Sequence, residues 1–168
     1  MIFLFVTSSY AVGQCKSEKD EFTGVSTITG IKHIDLKRST SLSVRTANEF
    51  KFTKLNDGSI FLSIELNVGA VVERKLLKSE PVLFKLSDDS VIKVYPESDV
   101  DPTKNLHLGY TPTSTYLIKM RLSEQDLKSF SRASLSAIRF TIGDNYDYEP
   151  HGMQKNALKK VAQCMLKN

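Results

Sequence analysis

The chain has 168 residues, 40% of them hydrophobic and 25% charged, the proportions of a folded protein and not of a disordered one. That length fits one domain with a core large enough to fold without depending on cross-links. The net charge of +4 is spread along the sequence, unlike the clustered basic face of a nucleic-acid binder, and no apolar run is long enough for a transmembrane helix.

The chain opens with a short apolar run, Ile2-Phe3-Leu4-Phe5-Val6, followed by small and polar residues. Ala11-Val12-Gly13 places small residues at the two positions a signal peptidase reads, giving cleavage before Gln14. No Lys or Arg precedes the run, which is also short for a signal. Residues 1–14 are therefore read as a truncated signal peptide and 15–168 as a single globular domain, periplasmic or secreted. The competing reading is a buried N-terminal strand.

Cys15 and Cys164 are the two cysteines. Lipoprotein signals carry a small residue before the lipidated cysteine, and Gln14 occupies that place, so lipidation is not expected. In an exported protein two cysteines normally pair, and a Cys15–Cys164 bond closes a loop that the chain-entropy model values at roughly 4–5 kcal/mol. In a cytosolic protein both would be small core residues. Asp20-Glu21-Phe22-Thr23-Gly24 follows Cys15, and β-rich sequence then leads to a last helix carrying Cys164. This layout resembles small exported proteins of Bacteroidetes bacteria. The resemblance implies export and supplies no activity, so no functional residue is carried over.

From Val25 to Glu65 the pattern predicts strands. Ile28, Ile31, Ile34 and Leu36 mark the first, with Gly30 as a bulge or bend. Leu42, Val44, Phe50 and Phe52 flank a second, which bends or bulges at Thr46-Ala47-Asn48-Glu49. Asn56-Asp57-Gly58 is a hairpin turn, and Ile60, Leu62, Ile64 and Leu66 then alternate with Phe61, Ser63, Glu65 and Asn67. A second hairpin spans 82–95 around Asp88-Asp89-Ser90. Pro96 to Asn105 reads as a solvated loop, Leu106 to Tyr110 as strand or loop, and Tyr116 to Leu122 as a strand. Ser123, Asp126, Leu122 and Leu127 form a capping box and staple for a short helix ending near Ser131, with Leu127 and Phe130 inward.

Residues 136–142 predict a half-buried strand, Gly143-Asp144-Asn145 a turn, and Tyr146-Asp147-Tyr148-Glu149 a short return strand. A helix from about Gly152 places Met153, Ala157, Leu158, Val161, Cys164 and Met165 on one side. Lys155, Lys159, Lys160 and Lys167 lie largely on the other, a solvated face that offers a salt-sensitive surface for acidic partners. The predicted fold is α+β: a mainly antiparallel sheet, curled or sandwiched, with a short helix and a C-terminal helix packed on one face. A pure β-sandwich is the alternative.

Motifs for chemistry are sparse. His33, His107 and His151 have no ligand spacing. There is no C-x-x-C, G-x-S-x-G or phosphate loop, and no metal or cofactor is expected. Glu97, Asp99 and Asp101 lack the Gly and distal Glu of a calcium loop. The dense cluster is Asp144, Asp147 and Glu149 interleaved with tyrosines, which makes Tyr146, Asp147, Tyr148 and Glu149 candidate contacts for a carbohydrate or cation. The plain alternative is an exposed hairpin rim. The sequence thus points to an exported, non-enzymatic binding or structural domain with a protein or cell-envelope partner. The alternative is a hydrolase whose site assembles around His33 or His107, distinguished by a deep pocket holding that histidine beside a carboxylate.

Overall fold

The computed structural model describes residues 15–21, 23–38, 45–68, 70–105 and 112–167. The signal-like segment 1–14, Phe22, Leu42, Val44, His107 and the rest of 106–110 lie outside the described residues.

Among the described residues ten strands and two helices follow in chain order. Strands β1 (Lys16–Lys19), β2 (Ser26–Arg38), β3 (Arg45–Leu55) and β4 (Ile60–Val68) come first, then β5 (Val82–Leu86), β6 (Val91–Val94), β7 (Thr103–Asn105) and β8 (Thr113–Leu122). After α1 (Glu124–Arg132) come β9 (Leu135–Ile142) and β10 (Asp144–Pro150), a short 3-10 turn at Gly152–Asn156, and α2 (Ala157–Lys167). The strands form one ten-stranded sheet in the order β6-β5-β9-β10-β2-β3-β4-β8-β7, with β1 added to β2. Every paired neighbour is antiparallel. The α+β class is the expected one. The sheet is single and open, neither curled shut into a barrel nor divided into a sandwich.

Alternation builds the core. Ile60, Leu62, Ile64, Leu66 and Val68 bury one side of β4, while the other side stays partly or fully exposed. Each such side chain contributes roughly 1.5–3 kcal/mol when fully removed from water. The inner faces of the strands meet the two helices. Phe130 of α1 stands edge-on to Phe52 of β3 at 5.8 Å and to Phe84 of β5 at 5.2 Å, so one ring joins strands that are four places apart in the sheet order. Helix α1 starts as its sequence predicts: Ser123 Oγ accepts from the Asp126 amide, and the Asp126 carboxylate accepts from the Ser123 amide. Such a cap contributes about 1 kcal/mol.

Several local expectations change. Gly30 is not a bulge, because β2 and β3 stay in unbroken register through Gly30↔Phe52. It is a point of close approach instead: a Cβ there would overlap the Val161 methyl of α2 and sit 3.6 Å from Cys15 Sγ. The bend expected at 46–49 takes a different form. Strand β3 remains paired to β2 there, while its pairing to β4 ends at Glu49↔Glu65. Side chains then replace the ladder: the Asn67 amide donates to Asn48 Oδ1 at 2.7 Å, and Asn67 Nδ2 donates to the Ala47 carbonyl at 2.8 Å. Met153 is 95% exposed and not on the core side of the last helix, because residues 152–156 wind as a 3-10 turn with a different side-chain phase. Ala162 takes a core place that the wheel did not assign to it. The polar loop at 96–105 contains β7 and two bridges, Pro96↔Met120 and Leu76↔Val100.

The two ends of the domain are joined. Cys15, just before β1, and Cys164, in α2, form a disulfide with a Cα–Cα distance of 6.0 Å. Further along β2, the Asp35 amide donates to Gln154 Oε1 at 2.7 Å and the His151 amide donates to the Asp35 carbonyl at 3.0 Å. The 3-10 turn is thereby docked on the edge of β2.

Candidate functional site

The four residues singled out at the C-terminal hairpin lie on β10, but β10 is not a rim. It is an interior strand between β9 and β2. The hairpin is tight, with Gly143 at φ +72° between the paired residues Ile142 and Asp144, so Asp144 and Asn145 belong to the strand and not to the turn. Strand alternation then divides the four between opposite faces. Asp147 and Glu149 go to the outer face, and Tyr146 and Tyr148 to the inner one.

On the outer face, Arg139 of β9 is directly opposite Asp147. Its Nε and Nη2 donate to the two carboxylate oxygens at 2.6 and 2.8 Å, the paired-fork geometry that suits guanidinium and carboxylate. That hydrogen bonding holds the Asp147 carboxyl below the usual carboxylate range, against a smaller opposing effect of burial. The pair is partly open to solvent, so water and salt screen it and it adds little to stability.

The register places two rows side by side around this pair. One runs Lys93, Leu83, Arg139, Asp147 across β6, β5, β9 and β10, and the other runs Val91, Lys85, Ala137. Ala137 is short between longer neighbours, and the pairing of β5 with β9 shifts by one residue beside it, which re-aims side chains locally. The result is a cleft of about 330 Å³ lined by Leu83, Lys85, Val91, Ala137, Arg139, Asp147 and Glu149, with Ile138 at its base. Its floor is apolar, its rim carries both signs of charge, and Val91 is 57% exposed.

On the inner face, Tyr148 is buried and meets Phe140 edge-on at 5.9 Å. Burial pushes its hydroxyl up to about 12, with Arg38 acting in the opposite direction. Tyr146 is half-buried beneath the Arg38 guanidinium, 4.3 Å from the ring centre. Nearby, Tyr116 donates to the Arg74 carbonyl at 2.7 Å, and burial raises its hydroxyl to about 12, with Tyr146 and Tyr148 adding to the shift.

The remaining residues of interest are dispersed. His33 projects from the outer face of β2, 71% exposed, with a Glu49 carboxylate oxygen 3.8 Å away. Glu49 lines a shallow depression of about 170 Å³ with Lys51, Ser63, Glu65, Leu117 and Lys119, which His33 does not enter. His151 is exposed. The acidic triplet is engaged locally: Glu97 pairs with Lys119, Asp99 accepts from the Lys78 amide, and Asp101 accepts from Lys75. Among the described residues no group of three His, Cys, Asp or Glu side chains is placed to hold a metal ion, and no helix is long and apolar enough to cross a membrane.

Sequence reasoning missed Arg139, Leu83, Lys85 and Val91. A signal for Arg139 was present, because a tight turn at Gly143 makes residues equidistant from it opposite one another. Nothing local in the sequence places β5 beside β9. No protein-family model, no curated protein and no solved structure matches this chain.

Proposed function

We propose that this is an exported, non-enzymatic binding domain of the cell envelope, and that the cleft between β5, β6, β9 and β10 holds its protein partner. The observation that carries this reading is the cleft's composition. An apolar floor rimmed by Lys85, Glu149 and the Arg139–Asp147 pair offers hydrophobic burial at the centre and charge complementarity at the edge, as protein interfaces do. The Cys15–Cys164 disulfide supports an oxidising compartment. The hydrolase alternative gains little from His33, which stands on an open strand surface; its other candidate base, His107, lies outside the described residues.

The reading is tested in the producing cell, by fractionation and by the intact mass of the native protein with and without reductant. An envelope or secreted product with an intact disulfide is expected; a cytosolic product with two free thiols would refute export. Leu83→Glu and Val91→Glu are expected to abolish cross-linking to the envelope partner, while Thr53→Glu, on the outer face away from the cleft, leaves it unchanged. Cross-linking that survives both cleft substitutions would remove the cleft from the proposal.

A further inference from the structure

Exposed strand edges pair readily with other chains, and folded proteins usually shorten or cover them. This chain does so at several places. At one end of the strand order β7 is three residues long, and the segment before β5 meets its neighbourhood: Leu76 bridges Val100 and Lys104 pairs with Glu73. The side of β8 turned away from β4 is taken by β7 and then by Pro96, which bridges Met120, while the Glu97 amide donates to the Lys119 carbonyl at 2.8 Å.

Strand β6 ends the order on the other side and differs. The Leu86 amide donates to the Ser90 carbonyl at 2.9 Å, and hydrogen-bonded pairs alternate along the ladder from there. In the register Lys85↔Val91, Phe84↔Ile92, Leu83↔Lys93, Ile92 bonds to β5, and Val91 and Lys93 turn their N–H and C=O groups outward. Among the described residues no strand, bridge or backbone hydrogen bond meets those groups. The antiparallel register of the Pro96–Met120 bridge, carried back along β6, would bring Ser123 opposite Lys93. Ser123 instead opens α1 and gives its amide to the Asp126 carboxylate at 2.9 Å, so the ladder stops and this edge stays open.

The side chains suit a further strand. Val91-Ile92-Lys93-Val94 is rich in β-branched residues. Ile92 and Val94 are buried, Val91 and Lys93 are exposed on the outer face, and Val91 also lines the cleft. Lys85 is paired with Asp89 and Lys119 with Glu97, whereas Lys93 has no carboxylate among the described residues and lies 5.3 Å from the centre of the Tyr95 ring.

We propose that β6 accepts an extended segment of the partner as an added antiparallel strand, with an acidic side chain opposite Lys93 and, two residues later, an apolar one opposite Val91. Main-chain hydrogen bonds to Val91 and Lys93 supply affinity, and the two cross-strand pairs supply selectivity. The sheet already holds strands this short: β1 has four residues and β7 three. The inference deepens the reading of the cleft as a protein-binding surface and rests on that reading for its partner. Pairing of β6 with the same strand of a second copy would use the same backbone groups but leave Lys93 without a carboxylate.

The test is titration of the disulfide-intact protein with acetyl-Thr-Glu-Thr-Val-Thr-amide, followed by the backbone amide NMR signals of Val91 and Lys93. Saturable shifts of both are expected at millimolar peptide. Methylating the Glu and Val nitrogens of the peptide removes the N–H groups that face β6 and should abolish the shifts. Lys93→Glu should weaken this peptide about threefold or more and favour the version with Lys in place of Glu. Val91→Pro deletes an outward N–H without touching the ladder to β5 and should abolish binding, a second route if the Lys93 variant does not fold. No saturable shift, equal binding of the methylated peptide, indifference of Lys93→Glu to peptide charge, or dimerisation through β6 in place of peptide binding would each overturn the inference. If the peptide fails while Leu83→Glu still abolishes cross-linking to the envelope partner, strand addition falls and the cleft reading stands. If the peptide binds while cross-linking survives Leu83→Glu and Val91→Glu, the cleft reading falls and strand addition stands.

Discussion

Gly30→Ala tests whether the contact between the sheet and its closing helix is as tight as the backbone geometry indicates. In isolation the change should help: Gly30 does not sit in the left-handed region, and replacing glycine at a compatible backbone position typically stabilises by about 0.4–1 kcal/mol through the unfolded state. The surroundings oppose it. The new methyl would overlap Val161 Cγ1, and Val161 is 2% exposed, a stiff β-branched residue on a helix anchored by the disulfide. It cannot swing away as a long surface side chain would. Inserting a methyl into such packing costs roughly 1–3 kcal/mol, so a net destabilisation of about 1–2 kcal/mol is expected. Urea unfolding of the disulfide-intact protein measures it as a lower midpoint with an unchanged slope.

The control is the double variant. Val161→Ala alone leaves a small cavity and destabilises the protein by roughly 1–3 kcal/mol. In Gly30→Ala/Val161→Ala the added methyl occupies space the valine vacated, so the two changes should be less harmful together than their sum by about 1 kcal/mol or more. A Gly30→Ala protein as stable as the parent, or strictly additive effects, would show that α2 does not bear on β2 at this point.

Two further outcomes follow from the structure. Removing the clasp with Cys15→Ser/Cys164→Ser should lower stability by at most about 5 kcal/mol for a loop of this length in the chain-entropy model. Hydrogen exchange should show the loss of protection concentrated in β1, whose residues are all exposed, and not in the β3–β4 hairpin; uniform loss would refute this localisation. Raising the pH gives the second. Tyr116 and Tyr148 are held at about 12, above the ordinary tyrosine value near 10. Below pH 10 both folded and unfolded states keep the proton and stability is unaffected. Between pH 10 and 12 the unfolded state loses it first, so stability falls by about 1.4 kcal/mol per pH unit for each tyrosine. Phenolate absorbance should show two tyrosines ionising later than the ordinary value, and complete ionisation of every tyrosine near pH 10 would contradict the burial.

Much of the fold was legible because it is local. Period-two alternation located β4, the Asn56-Asp57-Gly58 turn fixed the register of its hairpin, and the Ser123–Asp126 capping box located α1. What the sequence left open depends on pairs distant along the chain. The approach of Val161 to Gly30 joins residues 131 positions apart, so Gly30 read as an irregularity of its own strand when its cause lies in another element. The candidate site was half legible for a related reason. A dense run of acidic and aromatic residues was visible at 144–149, but its meaning depends on alternation. Consecutive strand residues face opposite ways, so Tyr146 and Asp147 were never going to serve one ligand together once β10 had neighbours on both sides. The rest of the outer site is non-local: Leu83 and Val91 reach it through the pairing of β5 with β9.

These observations also give the terminal disulfide a local purpose. A domain of this size with so continuous a core has little general need of one. The weak point is one edge of β2, which has no single partner. Residues Leu36 to Arg38 pair with β10, Asp35 is held by His151 and Gln154 of the 3-10 turn, and Ser26 to Thr29 pair with β1. Of these, β1 is the least secure: four exposed polar residues with no apolar side to bury cannot hold an edge by the hydrophobic effect. Cys15 lies at the junction, immediately before β1, and Cys164 is presented to it by the helix that packs against Gly30. The absence of a side chain at Gly30 lets α2 come close enough for the bond to form, and the bond holds in place a strand that packing alone would not.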